Sequence, residues 1–240
     1  MASDSPLQIS RLLIAAMGIQ MYLHHRDRVP QTGATLVVSN HRSFLDAPLL
    51  MSAIDRPIRF ACHHYMGQVP VMREVVTKLG CFPLARAGQR QQSFFHQAIQ
   101  LLKTQQAVGV FPEGTEPMVN SPTRCEMGDF QRGFAHLALK APVQDLAVLP
   151  IAIAVQNETK SSAVPLKLLS FFDPSEPLFN QEGWHPLVVY QRVNVLVGRP
   201  FWITPSHRQK YQGKGARTIV QHLTGHCHNE ISSLLLRGCY

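Results

Sequence analysis

His41 and Asp46 stand five residues apart in Asn40-His41-Arg42-Ser43-Phe44-Leu45-Asp46, and an imidazole beside a carboxylate is a base with its orienting acid. The carboxylate fixes one ring nitrogen by accepting its N–H and leaves the lone pair of the other free to take a proton. Spacing restricts where the two can meet. Five residues of continuous helix turn one side chain about 140° from the other, so His41 must lie outside a helix or in a distorted first turn. The pattern is the orienting half of a catalytic triad. It equally fits a helix start, with Ser43 and Asp46 at capping-box spacing beside a solvated histidine. The chain has no Gly-x-Ser-x-Gly elbow, and no serine nucleophile is evident. A base without a nucleophile of its own acts on a hydroxyl of the substrate.

Three more blocks follow in order. Leu79-Gly80-Cys81-Phe82-Pro83-Leu84-Ala85-Arg86 is a short apolar segment ending in a cation. Arg86 carries a planar fork suited to paired hydrogen bonds with an oxyanion, and a surface arginine at a strand end reads the same way. Ala107 to Phe111 reads as a buried strand, and Pro112-Glu113-Gly114-Thr115 turns at its end, where Gly114 permits close approach of backbone to a ligand. Val148-Leu149-Pro150-Ile151 is an apolar strand with a proline, a core element. Among other candidates, His222, His226, Cys227 and His228 form a cluster in which residues four apart, such as His222 and His226, share a helical face, but no carboxylate is tied to them by spacing. They read as a solvated helix rather than a metal site. His63-His64 reads as a loop or strand-end pair, and Gly213-Lys214-Gly215 as the start of the last helix.

Positioning these residues requires strands near 34–39, 58–62, 81–85, 107–111, 146–155 and 187–198, with helices near 44–54, 72–79, 90–105, 130–140 and 215–236. That alternation describes an α/β fold, a single domain with a central mixed β-sheet flanked by helices and preceded by an N-terminal amphipathic helix. His41 then sits on a strand-to-helix turn, and strand ends gather His41, Asp46, Arg86 and Glu113. Residues 1–28 form the helix and a basic connector; 29–240 form the main domain. No linker or repeat divides the 240 residues.

The 23 Lys and Arg against 15 Asp and Glu favour anionic partners: membrane phospholipid, coenzyme A phosphates or an acidic carrier protein. Scattered basic residues without an RNA-binding or zinc-finger signature set nucleic acid aside. Five cysteines, an odd number with no C-x-x-C pair, read as reduced thiols on the cytosolic side. Leu7 to Leu23 reads as a helix too interrupted by Gln8, Ser10, Arg11, Gly18 and Gln20 to span a bilayer. Its broad face of Ile9, Leu12, Leu13, Ala16, Met17 and Leu23 suits a membrane interface, and packing on the protein's own core suits it as well. His24-His25-Arg26 and Arg28 follow, placed to meet lipid phosphates.

The four blocks, in this order, resemble the glycerolipid acyltransferase superfamily, lysophosphatidic acid acyltransferase type, over roughly Thr35 to Phe201. The resemblance implies transfer of a fatty acyl group from acyl-coenzyme A or acyl carrier protein to a lysophospholipid hydroxyl, most specifically that of 1-acylglycerol-3-phosphate, without a cofactor or metal. It implies His41 as base, Asp46 as its partner, Arg86 on the acceptor's phosphate, and Glu113, Gly114 and Thr115 at its polar head. Arg132, in Phe130-Gln131-Arg132-Gly133-Phe134-Ala135, matches the next stretch and adds a cation, as does Arg124. It also implies a peripheral or monotopic protein on the cytoplasmic side of a membrane. Glu116-Pro117 departs from the Arg or Ser that relatives often carry there, and a carboxylate beside a phosphate repels it. Two other classes remain to be separated: a lipid-binding module on the same fold, and a metal-dependent hydrolase built on the histidines.

Overall fold

A computed structural model describes residues 5–62, 66, 70–85, 89–114, 124–165 and 184–239. In chain order the elements are α1 (Ser5–Ala16), β1 (Gln20–His24), β2 (Thr35–Ser39), α2 (Asp46–Ile54), β3 (Ile58–Cys62), α3 (Pro70–Lys78), β4 (Phe82–Pro83) and α4 (Arg90–Lys103). There follow β5 (Ala107–Val110), α5 (Gly133–Lys140), β6 (Leu146–Pro165), β7 (Trp184–Val197), β8 (Phe201–Ile203), α6 (Pro205–Gln212) and α7 (Ala216–Gly238).

The strands form one mixed sheet in the order β1-β7-β6-β2-β5-β3-β4, with β8 also beside β6. Strands β6, β2, β5, β3 and β4 run parallel to one another, while β7 and β8 are antiparallel to β6. β2 is buried at every position, as a central strand covered on both faces must be. Its side chains alternate between two cores. Leu36 and Val38 join α4, α5 and α7 on one face; Val37 joins α1 and α2 on the other. The sheet thus brings the C-terminal ends of β2 and β5 side by side, and the residues that follow each strand meet there.

The expected helix from Leu7 to Leu23 is corrected. It ends at Ala16, where Gly18 takes φ +66°, and the Gly18 and Ile19 amides donate back to Ala15 O (3.0 Å) and Ile14 O (3.2 Å), a Schellman stop. Residues 20–24 are instead the edge strand β1, parallel to β7. Its two-residue alternation of exposed and half-buried positions is the strand period, overrun in the sequence by the apolar helix before it. α1 buries Leu7, Ser10 and Ile14 against the core and leaves Gln8, Arg11, Leu12, Ala15 and Ala16 outside. The basic connector is partly engaged: Arg11 and Arg26 pair with Asp55, and Arg28 donates to Val197 O (2.9 Å).

Three further expectations change. The 146–155 strand continues to Pro165 as one arm of a long hairpin with β7, broken by register shifts at Val155/Asn157, Asn157/Glu158 and Ser162/Val164, irregularities that interrupt any simple alternation. The last helix is not solvated: it buries Ile219, Val220, Leu223, Cys227, Ile231, Leu234 and Leu235. His226 stacks obliquely on Phe201 and His228 meets Phe130 edge-on. Nor are all five cysteines thiols, because Cys125 and Cys239 form a disulfide, their Cα atoms 6.1 Å apart, within the reach such a bond requires.

Candidate active site

The turn from β2 to α2 brings His41 and Asp46 together. His41 Nδ1 lies 2.8 Å from Asp46 Oδ2, with His41's side chain 15% exposed and that of Asp46 fully buried. The same Oδ2 accepts the backbone N–H groups of Arg42 (2.6 Å) and Ser43 (2.9 Å), and Oδ1 accepts the Tyr190 hydroxyl (2.5 Å). Every neighbour of this carboxylate donates to it, so Nδ1 is a donor as well. The proton on Nδ1 leaves Nε2 as the basic nitrogen. Tyr190 is fully buried on β7; burial first, then the charge of Asp46, pushes its phenol well above the ordinary value, so it keeps its proton for Asp46.

The capping-box reading of this turn is half right. Asp46 does reach back to the Ser43 amide, but the Ser43 hydroxyl donates across the sheet to Val188 O (2.6 Å). Asn40 fixes the turn from the other side. Its side-chain amide donates to Ile153 O (3.1 Å) and accepts from Ile153 N–H (2.8 Å), continuing the pairing of β2 with β6 beyond the strand's end.

Below the imidazole lies a stack of rings. His41 is parallel to Phe111 at 4.1 Å between centroids, and Phe111 to Phe60 at 5.0 Å. Phe60 lies flat across β5 because its partner there is Gly109; a Cβ at that position would collide with the ring.

Glu113 is buried, and both of its oxygens accept backbone amides, Oε1 from His41 (2.9 Å) and Oε2 from Gly128 (2.7 Å). Burial pushes its carboxyl above the ordinary value, opposed by those amides of Gly128 and His41. It joins the His41 turn to the segment at 128. Gly114 holds φ +76° beside it, and its amide closes the turn on Phe111 O (3.1 Å). Gln131 N–H donates to Pro112 O (2.9 Å), which puts Arg132, exposed at the start of α5, next in chain to the turn. Arg124 donates to Gln156 O (2.6 Å). Arg86, Thr115, His63-His64 and Glu116-Pro117 lie outside the described residues.

Beside His41, Arg42 makes a two-pronged ion pair with Glu158: Nε to Oε2 at 2.8 Å and Nη2 to Oε1 at 2.7 Å. Their side chains are 5% and 3% exposed. Burial opposes both charges, and the pairing outweighs it: Arg42 is raised and Glu158 lowered from their ordinary values. Sequence reasoning placed Arg42 in the first block but gave it no role, and it missed Glu158 and Tyr190. Nothing local marks Tyr190 among the apolar residues of β7, since its meaning comes from lying 144 residues from Asp46 in the chain.

A fold that carries an oriented base at the end of its central strand defines a class, and the comparisons agree with it. The family model described as Acyltransferase matches residues 20–154, more than half of the chain, and the protein belongs to that family. The match includes β1, His41, Asp46 and Glu113 but stops before Glu158 and Tyr190. The chain is 32% identical over 117 residues to the chloroplastic 1-acyl-sn-glycerol-3-phosphate acyltransferase of Arabidopsis thaliana, covering 48% of this chain and 30% of that protein. It is 22% identical over 141 residues to the 1-acyl-sn-glycerol-3-phosphate acyltransferase of Borreliella burgdorferi, covering 58% and 53%. The chain therefore spans about half or less of these relatives' lengths. In fold it is similar to the crystal structure of the 1-acyl-sn-glycerophosphate (LPA) acyltransferase PlsC from Thermotoga maritima, with a TM-score of 0.64 at 16% identity, covering 98% of this chain and 78% of that one.

Proposed function

We propose that this protein transfers a fatty acyl group from a thioester donor, acyl-coenzyme A or acyl carrier protein, to the free hydroxyl of 1-acylglycerol-3-phosphate. The observation that carries the reading is the His41–Asp46 contact within a fully satisfied carboxylate. A module that only binds lipid has no use for a base held in one tautomer. Nε2 takes the acceptor's hydroxyl proton as its oxygen attacks the thioester carbonyl. The tetrahedral intermediate collapses with loss of the thiolate, which leaves with the proton held by the imidazolium, and Asp46 stabilises that cation while it exists. The similarity to proteins named 1-acyl-sn-glycerol-3-phosphate acyltransferase supports the choice of acceptor. Incubation with labelled acyl-coenzyme A, or with acyl carrier protein, and a panel of lysolipids tests it by product mass. Diacylglycerol phosphate as the main product fits the proposal; acylation of other lysolipids while lysophosphatidic acid is ignored refutes this acceptor.

The acceptor's phosphate is assigned to Arg86, the cation that ends the second block, and to Arg132, in the stretch that follows the third and is next in chain to the Gln131 amide bound to Pro112 O. Arg86→Ala and Arg132→Ala are each expected to raise KM for the acceptor severalfold more than KM for the donor. Initial-rate kinetics in both substrates check this, and equal damage to both would make the arginines structural. Glu113 contributes by holding the His41 amide.

Attachment to the cytoplasmic face of a membrane is proposed through the layer formed by α1, α2 and α3. No helix among the described residues is long and apolar enough to cross a bilayer. Leu12 on α1, Phe44 beside His41 and Val75 on α3 are large apolar side chains left 70%, 43% and 49% exposed, and burying such groups in an interface drives peripheral binding. Deleting the N-terminal segment would strip β1 from the sheet, so a point change is the cleaner test. Leu12→Glu should lower the fraction sedimenting with anionic vesicles while leaving the melting temperature unchanged; unchanged sedimentation would exclude Leu12 from the contact.

A further inference from the structure

Cys125 belongs to the segment 124–128, and that segment reaches the active site. Three residues after Cys125, the Gly128 amide donates to Glu113 Oε2 (2.7 Å), while Glu113 Oε1 accepts the amide of His41 (2.9 Å). One residue before it, Arg124 donates to Gln156 O (2.6 Å), two positions from the Glu158 that holds Arg42. Its partner Cys239 lies at the end of α7, in a firm setting. The Cys239 amide donates to Leu235 O (3.0 Å), Asn194 donates to Gly238 O (2.9 Å), and Gly238 is packed so tightly on Leu196 and Ala154 that a Cβ there would clash. The bond between them therefore ties a site-bearing loop to the frame, 114 residues away in the chain.

The other cysteines differ in kind. Cys62 and Cys227 are buried and Cys81 is half-buried; burial pushes their thiols up to about 11, 12 and 12 respectively, which leaves almost no thiolate to react. Cys125 and Cys239 are both partly exposed and face each other.

We propose that Cys125 and Cys239 are a reversible redox site, oxidised by a small disulfide such as glutathione disulfide, whose bond holds the 124–128 segment and through Gly128 and Glu113 steadies the His41 turn. One protein thiolate attacks a sulfur of the small disulfide, forming a mixed disulfide and releasing one thiolate. The second cysteine thiolate displaces the other half. Two protein thiols are oxidised to one disulfide, one small disulfide is reduced to two thiols, and the released thiolates take up the protons the cysteines lost. Reduction removes the tether but leaves the Arg124 contact and the packing of Phe130, so the segment loosens without unfolding.

The full chain is equilibrated in glutathione buffers from reducing to oxidising, its thiols are counted by alkylation and mass, and hydrogen exchange is followed in peptides covering 124–130 and 40–44. Oxidation is expected to remove two alkylatable thiols and slow exchange in 124–130 severalfold. Cys125→Ser and Cys239→Ser should exchange at the reduced rate in every buffer. An unchanged thiol count under glutathione disulfide overturns the proposal, as does a disulfide that leaves exchange in 124–130 unaltered. Its catalytic consequence rests on the proposed acyl transfer: the rate should be severalfold higher when oxidised, and in the serine variants it should not respond. An equal rate in both states overturns the link to the site. Altered exchange in a chain that transfers no acyl group in either state would uphold the tether and refute the acyltransferase reading instead.

Discussion

Folded His41→Ala is expected to lose about 10²–10⁴-fold or more of the proposed acyl-transfer rate, the usual effect of removing a positioned general base. In the proposed reaction the acceptor's hydroxyl is too weakly acidic to attack a thioester without losing its proton, and His41 is the base assigned to that task. Its orientation has three supports, namely Asp46 on Nδ1 (2.8 Å), Glu113 on the backbone amide (2.9 Å) and the Phe111 ring below. Removing the imidazole disturbs none of the Asp46 bonds to Arg42, Ser43 and Tyr190, so the turn should keep its shape. Initial rates at saturating donor and acceptor, with circular dichroism as the control for folding, measure the effect. A folded variant within a few-fold of the parent would remove His41 from the mechanism.

Glu158→Ala is expected to cost about 3–5 kcal/mol of stability, because it breaks the two-pronged ion pair of the buried Arg42 guanidinium. For a chain of this size that is a fall in melting temperature of roughly 6–20 °C. Replacing the pair with apolar residues, Arg42→Met with Glu158→Leu, should restore most of the loss, since the penalty comes from breaking a pair at a buried charge rather than from a large net gain by the pair. The pH dependence has a definite sign. Glu158 is lowered from its ordinary value, so the stability its ionised form contributes is complete above the unfolded carboxyl's value of about 4.3. It drains away as pH falls through the folded value. Glu158→Gln should therefore differ from the parent near neutrality and converge with it in acid. Denaturant midpoints across that range check both statements; a single Glu158→Ala within about 1 kcal/mol of the parent would mean that Arg42 finds water.

The His41–Asp46 contact was readable from sequence because both residues lie on one turn, and a five-residue spacing limits the geometries that join them. Strands β2, β3 and β5 were readable for a similar reason: short β-branched or apolar runs ended by turn residues have few alternatives. β1 was not, since five residues of weak alternation directly after an apolar helix look like more helix until β7 pairs with them. Tyr190, Glu158 and Gly128 were out of reach for another reason. Each acts on a residue that the fold brings near from a distant part of the chain, and a lone tyrosine, glutamate or glycine in a strand or loop carries no local sign of that. Glu113 falls between these cases. Its block pointed to the site, yet its bonds to His41 and Gly128 depend on the neighbouring ends of β2 and β5.

Direct transfer is tested most simply by exposing the protein to labelled acyl donor without acceptor and weighing the intact chain, then adding lysophosphatidic acid in a single turnover. With His41 acting as base on the acceptor's own hydroxyl, the chain should keep its unmodified mass. Label should leave the donor only after acceptor is added and appear in the diacyl product, with folded His41→Ala forming none on the same timescale. A stoichiometric acyl adduct on the chain, formed before acceptor is present and discharged when it is added, would contradict direct transfer and place the nucleophile on the protein.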